Sequence, residues 1–459
     1  MSRKVVSGIT LTLLSIMLNI ASTGWFGTTH AMTQLDQHVI VNTGADGLYP
    51  SVYENLILFP TGESRCHIDL NNDGDMDDSI IRYYDISTQT LTNTAIEGSH
   101  PAIYGNIAVF TFRPYGPIKY YDLSTQTTTP VGAIGNRATI HGDIIAFEDT
   151  SNRIRYYDVS TGALENTFAI GIHPSVYGST IAFCTPERWI GVDLNGDGDL
   201  DDEGVRFYDI TTHRLTDLRV TGGGVSTYGD VISFETSESS AGIDLNGDDD
   251  QNDIVIRYYE VSTGTLVNTG ICGRALSLYG NLLAFYHYNR IYYYYISTGR
   301  LVDTGVMGSY PSAYRNTIAF YTSEKDEGED LNGDGDREDF IIRYLKLPVV
   351  PATVDISPDT LNTWSLFGKF ITAYIELPEG YNANDIDIST VKLNGEVQAE
   401  LHPTKIGDYD NDGTPDLMVK FYRANVVRSI LRTGDDEITI RGMVFGKSFE
   451  GSYTIRVIT

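Results

Sequence analysis

Short runs of alternating apolar and polar residues fill most of this chain, and turn residues interrupt them at short intervals. Between residues 171 and 220 the runs are "HPSVYG", "STIAFCT", "GVRFYDITT" and "RLTDLRV", rich in β-branched and aromatic residues. Period-two alternation makes a strand with one buried face, and no stretch shows the 3.6-residue period with caps that a helix needs. The third run recurs as "IRYYDIST", "IKYYDLST", "IRYYDVST", "VRFYDITT", "IRYYEVST" and "IYYYYIST". Aligned on itself, the chain places Tyr53, Tyr104, His141, Tyr177, Tyr228, Tyr279 and Tyr314 at one equivalent position, with spacings of 51, 37, 36, 51, 51 and 35 residues. The base unit is therefore about 36 residues, and some copies carry an insert of about 15.

Four short strands per unit, repeated seven times, predict an all-β chain built as a seven-bladed β-propeller. The seventh unit stops after its third strand, "FIIRYLKL", and the missing fourth stands at the other end of the chain. There "VNTGADG" (41–47) matches "VNTGICG" (267–273) and "VDTGVMG" (302–308). An N-terminal strand that completes the last blade closes the ring and hides both sheet edges. The repeat resembles the TolB-type propellers, whose units have the form "PxxSPDGxxIAFxS…IYxxDxxTGxxxxLT", over about residues 38–348, in layout more than in residue identity. That resemblance implies a fold shared by binding proteins, periplasmic assembly factors, peptidases and a few lyases, so it speaks to architecture rather than to activity.

Beyond Pro348 the pattern changes. The Pro-rich junction "PVVPATVDISPDT" leads into "ITAYIEL", "STVKLNG", "LMVKFYR", "EITIRGMVF" and "SYTIRVIT", which predict a small β-sandwich over 349–459. This part resembles a module at the carboxyl end of secreted prokaryotic proteins, archaeal ones included. At the other end, Arg3 and Lys4 precede an apolar stretch, and Thr29-His30-Ala31 offers a small-residue cleavage site. Residues 1–31 are therefore expected to be a signal peptide, with a retained membrane anchor as the alternative, leaving a propeller over 32–348 in a secreted or cell-surface protein.

Charge sharpens the picture. With 61 acidic against 32 basic residues the net charge is −29, which argues against nucleic acid and anionic membranes and suits cation binding. Three cysteines make no disulfide framework, so an extracellular chain needs another brace. The acidic residues are concentrated in loops of the form D-x-N-x-D-G-x-x-D, which resemble the calcium loops of EF-hands and, more closely, those of integrin propellers and dockerins. Calcium takes six to eight oxygens, and positions 1, 3, 5, 7 and 9 supply them. The candidate ligands are Asp69, Asn71, Asp73, Asp75 and Asp77; Asp193, Asn195, Asp197, Asp199 and Asp201; and Asp330, Asn332, Asp334, Asp336 and Glu338. Asp408, Asp410, Asp412, Thr414 and Asp416 form a further loop in the C-terminal part. In the loop with Asp244, Asn246 and Asp248, Asp249 replaces the glycine and Asn252 takes position 9, so weak binding or none is expected there. Crowded carboxylates repel until a divalent ion reverses the sign of the interaction; Ca2+ is the expected cofactor.

No nucleophile elbow, zinc signature or phosphate-binding loop is present. One position per unit, at the turn into the first strand, carries Tyr49, His100, Arg137, His173, Gly224, Ala275 and Tyr310. By resemblance to TolB-like propellers this turn lies beside the central funnel. Five polar or aromatic side chains then face a gap left by Gly224 and Ala275, a mouth suited to one ligand. The plainer alternative is that these side chains only pack on the ring and order the turn. The leading expectation is a calcium-binding adhesion or structural module for an extracellular polysaccharide or protein. The alternative is a carbohydrate-active enzyme such as a metal-dependent polysaccharide lyase, with His100 and His173 as metal ligands.

Overall fold

The computed structural model describes residues 38–112, 115–364, 368–429, 434–444 and 447–458; the expected signal peptide lies outside them. The chain is all-β in character, in antiparallel sheets of propeller type followed by a two-sheet sandwich. Ser51–Tyr53, Leu56–Gly62, Ser79–Asp85 and Thr90–Glu97 form one four-stranded meander, and the same order recurs along the chain. Two consecutive units merge into a seven-stranded sheet because Thr127–His141 runs on as the last strand of one and the first strand of the next. Val39–Asp46 pairs with Phe340–Lys346 at the edge of a sheet made otherwise of Ser309–Tyr314 and Thr317–Ser323.

One close contact recurs in every unit. The second strand of each unit buries a phenylalanine (Phe59, Phe110, Phe147, Phe183, Phe234, Phe285, Phe320), none more than 1% exposed. The residue that turns into the first strand is a glycine lying directly on that ring. At Gly171 an added Cβ would come within 2.3 Å of Phe183, and Gly47, Gly98, Gly135, Gly222, Gly273 and Gly308 meet their phenylalanines the same way. Only a residue without Cβ fits there.

Neighbouring units are stitched along their innermost strands. Ser51, Ser175, Ser226 and Ser277 each accept a backbone N–H from the next unit's inner strand, at 2.9–3.3 Å. Val52 N–H donates to Ser312 Oγ at 3.1 Å, joining the first unit to the last by the same bond. Asn42 Nδ2 donates to the Leu331 carbonyl at 2.7 Å, as Asn93 does to Leu70 and Asn268 to Leu245. Val39–Asp46 thus makes the contact that a fourth strand makes elsewhere.

Two features depart from the strand-only expectation. Each acidic insert begins with a four-residue helix (Glu63–Cys66, Glu187–Ile190, Glu238–Ala241, Glu324–Glu327), and Arg423–Ser429 is helical in the C-terminal part. Such short helices carry too few residues to show a period. No helix among the described residues is long and apolar enough to cross a membrane. From Val350 to Ile458 two sheets enclose a core that includes Leu361, Ile371, Val391, Val419, Phe421, Phe449 and Ile455.

Candidate functional site

The seven residues singled out at the turn share one conformation. Tyr49, His100, Arg137, His173, Gly224, Ala275 and Tyr310 all have φ between 47° and 54°, in the left-handed region. For the six with a Cβ this costs about 1–2 kcal/mol each. The cause is a β-bulge: pairing shifts register between Ser99 and Ala102, Ile172 and Ser175, Gly223 and Ser226, Arg274 and Ser277, and Ser309 and Ser312. A bulge re-aims a side chain that regular alternation would send elsewhere.

The structure brings three of these residues together. Tyr49 stacks on His100 with centroids 5.0 Å apart and meets the edge of Tyr310 at 4.8 Å. Tyr286 and Tyr321, 5.5 and 5.8 Å from Tyr310, extend this aromatic arc. Arg137 and His173 follow in the next two units; Arg137 lies close enough to act on the charge of His100, Tyr310, Glu148 and Glu203. The expected gap at Gly224 is filled. Glu235 Oε1 lies 2.5 Å from where a Gly224 Cβ would stand and accepts the Ala275 N–H at 2.6 Å. Glu148 Oε2 accepts the His173 N–H at 3.2 Å, and Glu203 Oε2 sits 3.6 Å from the Cβ position of Gly223.

Burial pushes the Glu235 carboxyl up to about 7, with Ala275 N–H and Arg274 opposing. It raises Glu148 and Glu203 too, with Arg137 opposing in both. The His100 side chain is exposed, yet desolvation by the surrounding protein, with Arg137 nearby, holds it below the ordinary imidazole value. The mouth is thus aromatic on one arc and carboxylate-rich on another. Sequence reasoning missed the three glutamates. Glu148 and Glu235 directly follow the buried phenylalanine, where other units have Pro60, Thr111, Cys184, Tyr286 and Tyr321.

The acidic inserts leave from the same end of the strands. Cys184 lies opposite Ile172, and the 187–202 insert starts directly after Pro186, whereas Tyr177 pairs with Thr180 at the far end. Inserts meet in pairs: Asp202 reaches Ser240 of the following insert, and His67 lies close enough to Asp334 to act on its charge.

Within each insert the first aspartate turns onto the loop's own backbone. Asp69 accepts the N–H groups of Asn72 and Gly74, and Asp193, Asp244 and Asp330 do the same. Asn71, Asn195, Asn246 and Asn332 bridge positions 5 and 10 of their loops through Nδ2. At position 9, Asp77, Asp201, Asn252 and Glu338 donate their N–H to the position-7 aspartate. Carboxylate oxygens within 4.8 Å of one another come from Asp197, Asp199 and Asp202; Glu63, Asp75 and Asp78; Glu238, Asp248, Asp250 and Asp253; and Glu324, Asp336 and Asp339. Desolvation, then neighbouring acids, pushes Asp202 and Asp339 up to about 6. In the C-terminal loop, Asp410 and Asp412 converge with Glu376, while Asp408 accepts from Asp412 and Gly413, Asp412 from Thr414, and Asp416 from Tyr409. These donor sets suit a hard divalent cation. The glutamates and the position-10 aspartates were outside the nine-residue motif, although Glu stands six residues before Asp69, Asp193, Asp244 and Asp330 alike.

At the opposite end the aligned anchors form a continuous belt. Tyr53, Tyr104, His141, Tyr177, Tyr228, Tyr279 and Tyr314 touch in order, with centroids 4.1–4.9 Å apart, and Tyr314 returns to Tyr53. The C-terminal sandwich covers this belt. A hairpin pairing Lys392 with Gln398 turns through Asn394 and Gly395, both at positive φ, and Lys392 Nζ lies 5.5 Å from the Tyr228 centroid. Burial, with Lys392 nearby, lowers His141 to about 4.

No protein-family model and no curated protein sequence matches the chain. Among solved structures, the computationally designed Ika8 protein is similar at 11% identity and TM-score 0.41, covering 72% of this chain and 93% of its own. An oligogalacturonate lyase from Vibrio parahaemolyticus is similar at 12% identity and TM-score 0.41, covering 69% and 92%. An oligogalacturonate lyase in complex with manganese gives 14% identity and TM-score 0.39, covering 66% and 89%. Likeness at this level carries no argument about what this chain binds.

Proposed function

We propose that this chain is a secreted or cell-surface TolB-like protein in which a seven-bladed propeller, residues 32–348 and closed by Val39–Asp46, presents one calcium-braced mouth to an extracellular polysaccharide or protein. Residues 349–459 form a β-sandwich that caps the other end. The observation that carries this reading is the shared polarity of the strands: acidic inserts and bulged left-handed residues stand at one end, and the sandwich covers the other. A partner that needs ordered walls binds more weakly when they must first be fixed, so calcium and ligand are coupled. A glycan array and pull-downs with and without chelator test this. Binding should weaken on chelation and again in a His100→Ala/His173→Ala variant that still binds calcium. Equal binding without calcium, or binding by a variant with the whole mouth substituted, would overturn it.

One observation favours a second reading, an acid–base enzyme acting on carbohydrate. A carboxyl tuned to about 7 beside an open mouth is suited to proton transfer near neutrality. Incubation with a polysaccharide panel, followed by detection of new reducing or unsaturated ends, decides it; the activity should vanish in Glu235→Gln.

A further inference from the structure

Each helix that opens an acidic insert begins with a completely buried glutamate: Glu63, Glu187, Glu238 and Glu324 are 0% exposed. One oxygen of each accepts two loop N–H groups. Glu63 Oε1 takes those of Leu70 and Asn71 at 2.5 and 3.2 Å, and the other three repeat the pattern. The second oxygen of Glu63 and of Glu187 is buried with no hydrogen-bond partner. A buried carboxylate oxygen facing further carboxylates is costly unless a cation compensates it. In three inserts that glutamate is one of the gathered ligand groups, with Asp75 and Asp78, with Asp248, Asp250 and Asp253, and with Asp336 and Asp339.

We infer that each of the four inserts holds a divalent cation between this buried glutamate and the aspartates at loop positions 5, 7 and 10. The inference rests on the cation-binding reading of the loops and changes both their ligands and their number. The backbone already ties the two ends of this set together: the N–H of Glu63, Glu187, Glu238 and Glu324 donates to the carbonyl of Asp78, Asp202, Asp253 and Asp339 at 3.0–3.1 Å. The ion therefore clamps the neck of the insert, where the second strand ends and the third begins, and does not merely fill the loop tip. The 244–253 loop departs from the nine-residue motif only at positions 6 and 9, both outside this ligand set. Its Asp248, Asp250 and Asp253 all converge on Glu238, a fuller set than gathers around Glu63 or Glu324, so it is a full site.

Equilibrium dialysis against calcium at millimolar concentration, with terbium luminescence as a second readout, tests this on the full mature chain. Glutamine keeps an oxygen for both loop N–H groups but removes the charge. Glu63→Gln/Glu187→Gln/Glu238→Gln/Glu324→Gln should lose four bound ions while keeping the native circular dichroism in chelator. Asp77→Asn/Asp201→Asn/Glu338→Gln, at position 9, should retain them. Asp250→Asn/Asp253→Asn should lose one. If the quadruple variant does not fold, Glu187→Gln alone should lose one ion. Native stoichiometry and affinity in the glutamine variants overturn the inference. Loss confined to the position-9 variant restores the nine-residue loop as the site. A native chain that binds no divalent cation sinks both readings.

Discussion

The two ends of the innermost strands are built on opposite principles. At one end seven nearly identical residues, six tyrosines and His141, touch in an unbroken belt. At the other, seven residues of one backbone conformation carry unlike side chains, from Gly224 to Arg137. Repetition of the side chain itself, as in the belt, points to packing: aromatic contacts of about 0.5–1.5 kcal/mol each hold units together. Repetition of the backbone alone, with strain retained while side chains diverge, marks a surface where asymmetry is wanted. The belt end is then covered by the sandwich, and the acidic inserts leave the strands at the divergent end.

The largest test of this contrast removes the strand both ends depend on. Deleting residues 38–47 strips Phe340–Lys346 of its outer partner, leaving only Thr317–Ser323 beside it, and opens a sheet edge. The shortened chain should aggregate or lose cooperative melting. A melting temperature equal to that of the undeleted chain would mean that Val39–Asp46 is an ornament and the sheet is held elsewhere.

Next in size is the removal of divalent cations. An ion held at about 100 times its dissociation constant contributes about 2.7 kcal/mol per site. Chelation should lower the melting temperature by many degrees and raise amide exchange in residues 63–78, 187–202, 238–253 and 324–339. The belt strands should stay protected until global unfolding. Equal loss of protection at both ends would erase the distinction drawn here.

What could be read from the sequence follows the same division. The anchors that form the belt and the position of the bulged turns were legible because each repeats in register; the phenylalanines and their glycines repeat too, but their contact went unread. The acidic loops were legible as loops. Their glutamates lay outside a motif nine residues long, though they repeat at a fixed distance. Glu148, Glu203 and Glu235 carried no repeating signal at all: a mouth residue is recognised by differing from its equivalents, and difference alone is not a pattern. The cover over the belt depends on Lys392 meeting Tyr228, a contact far along the chain with no local trace.

A smaller effect separates the mouth by pH. The folded state raises the Glu235 carboxyl from 4.5 to about 7. Its protonated form is favoured in the fold, so this stability is fully present below about pH 4.5 and is lost as pH rises through about 7. Melting temperature should therefore fall between pH 5 and 8 by an amount worth on the order of 3 kcal/mol at most. Glu235→Gln should flatten that part of the profile. A wild-type slope that survives in the variant would assign the effect to other acids, Asp202 and Asp339 first.

The smallest expected effect lies at the covered end. Lys392 gains from the face of Tyr228, a contact of about 0.5–2 kcal/mol, but burial opposes its charge and lowers its pKa. The two oppose each other. Lys392→Met keeps the length of the side chain and removes the buried charge, so stability should change by less than about 1 kcal/mol in either direction. Calcium stoichiometry and ligand binding should not change, because the belt separates Lys392 from the mouth. His141 offers an independent reading: its imidazole, held at about 4 by burial and Lys392, should titrate at higher pH in the variant, visible by NMR. If Lys392→Met instead altered ligand binding at the open end, the channel would transmit between its two mouths, and the belt would be a conduit rather than a floor.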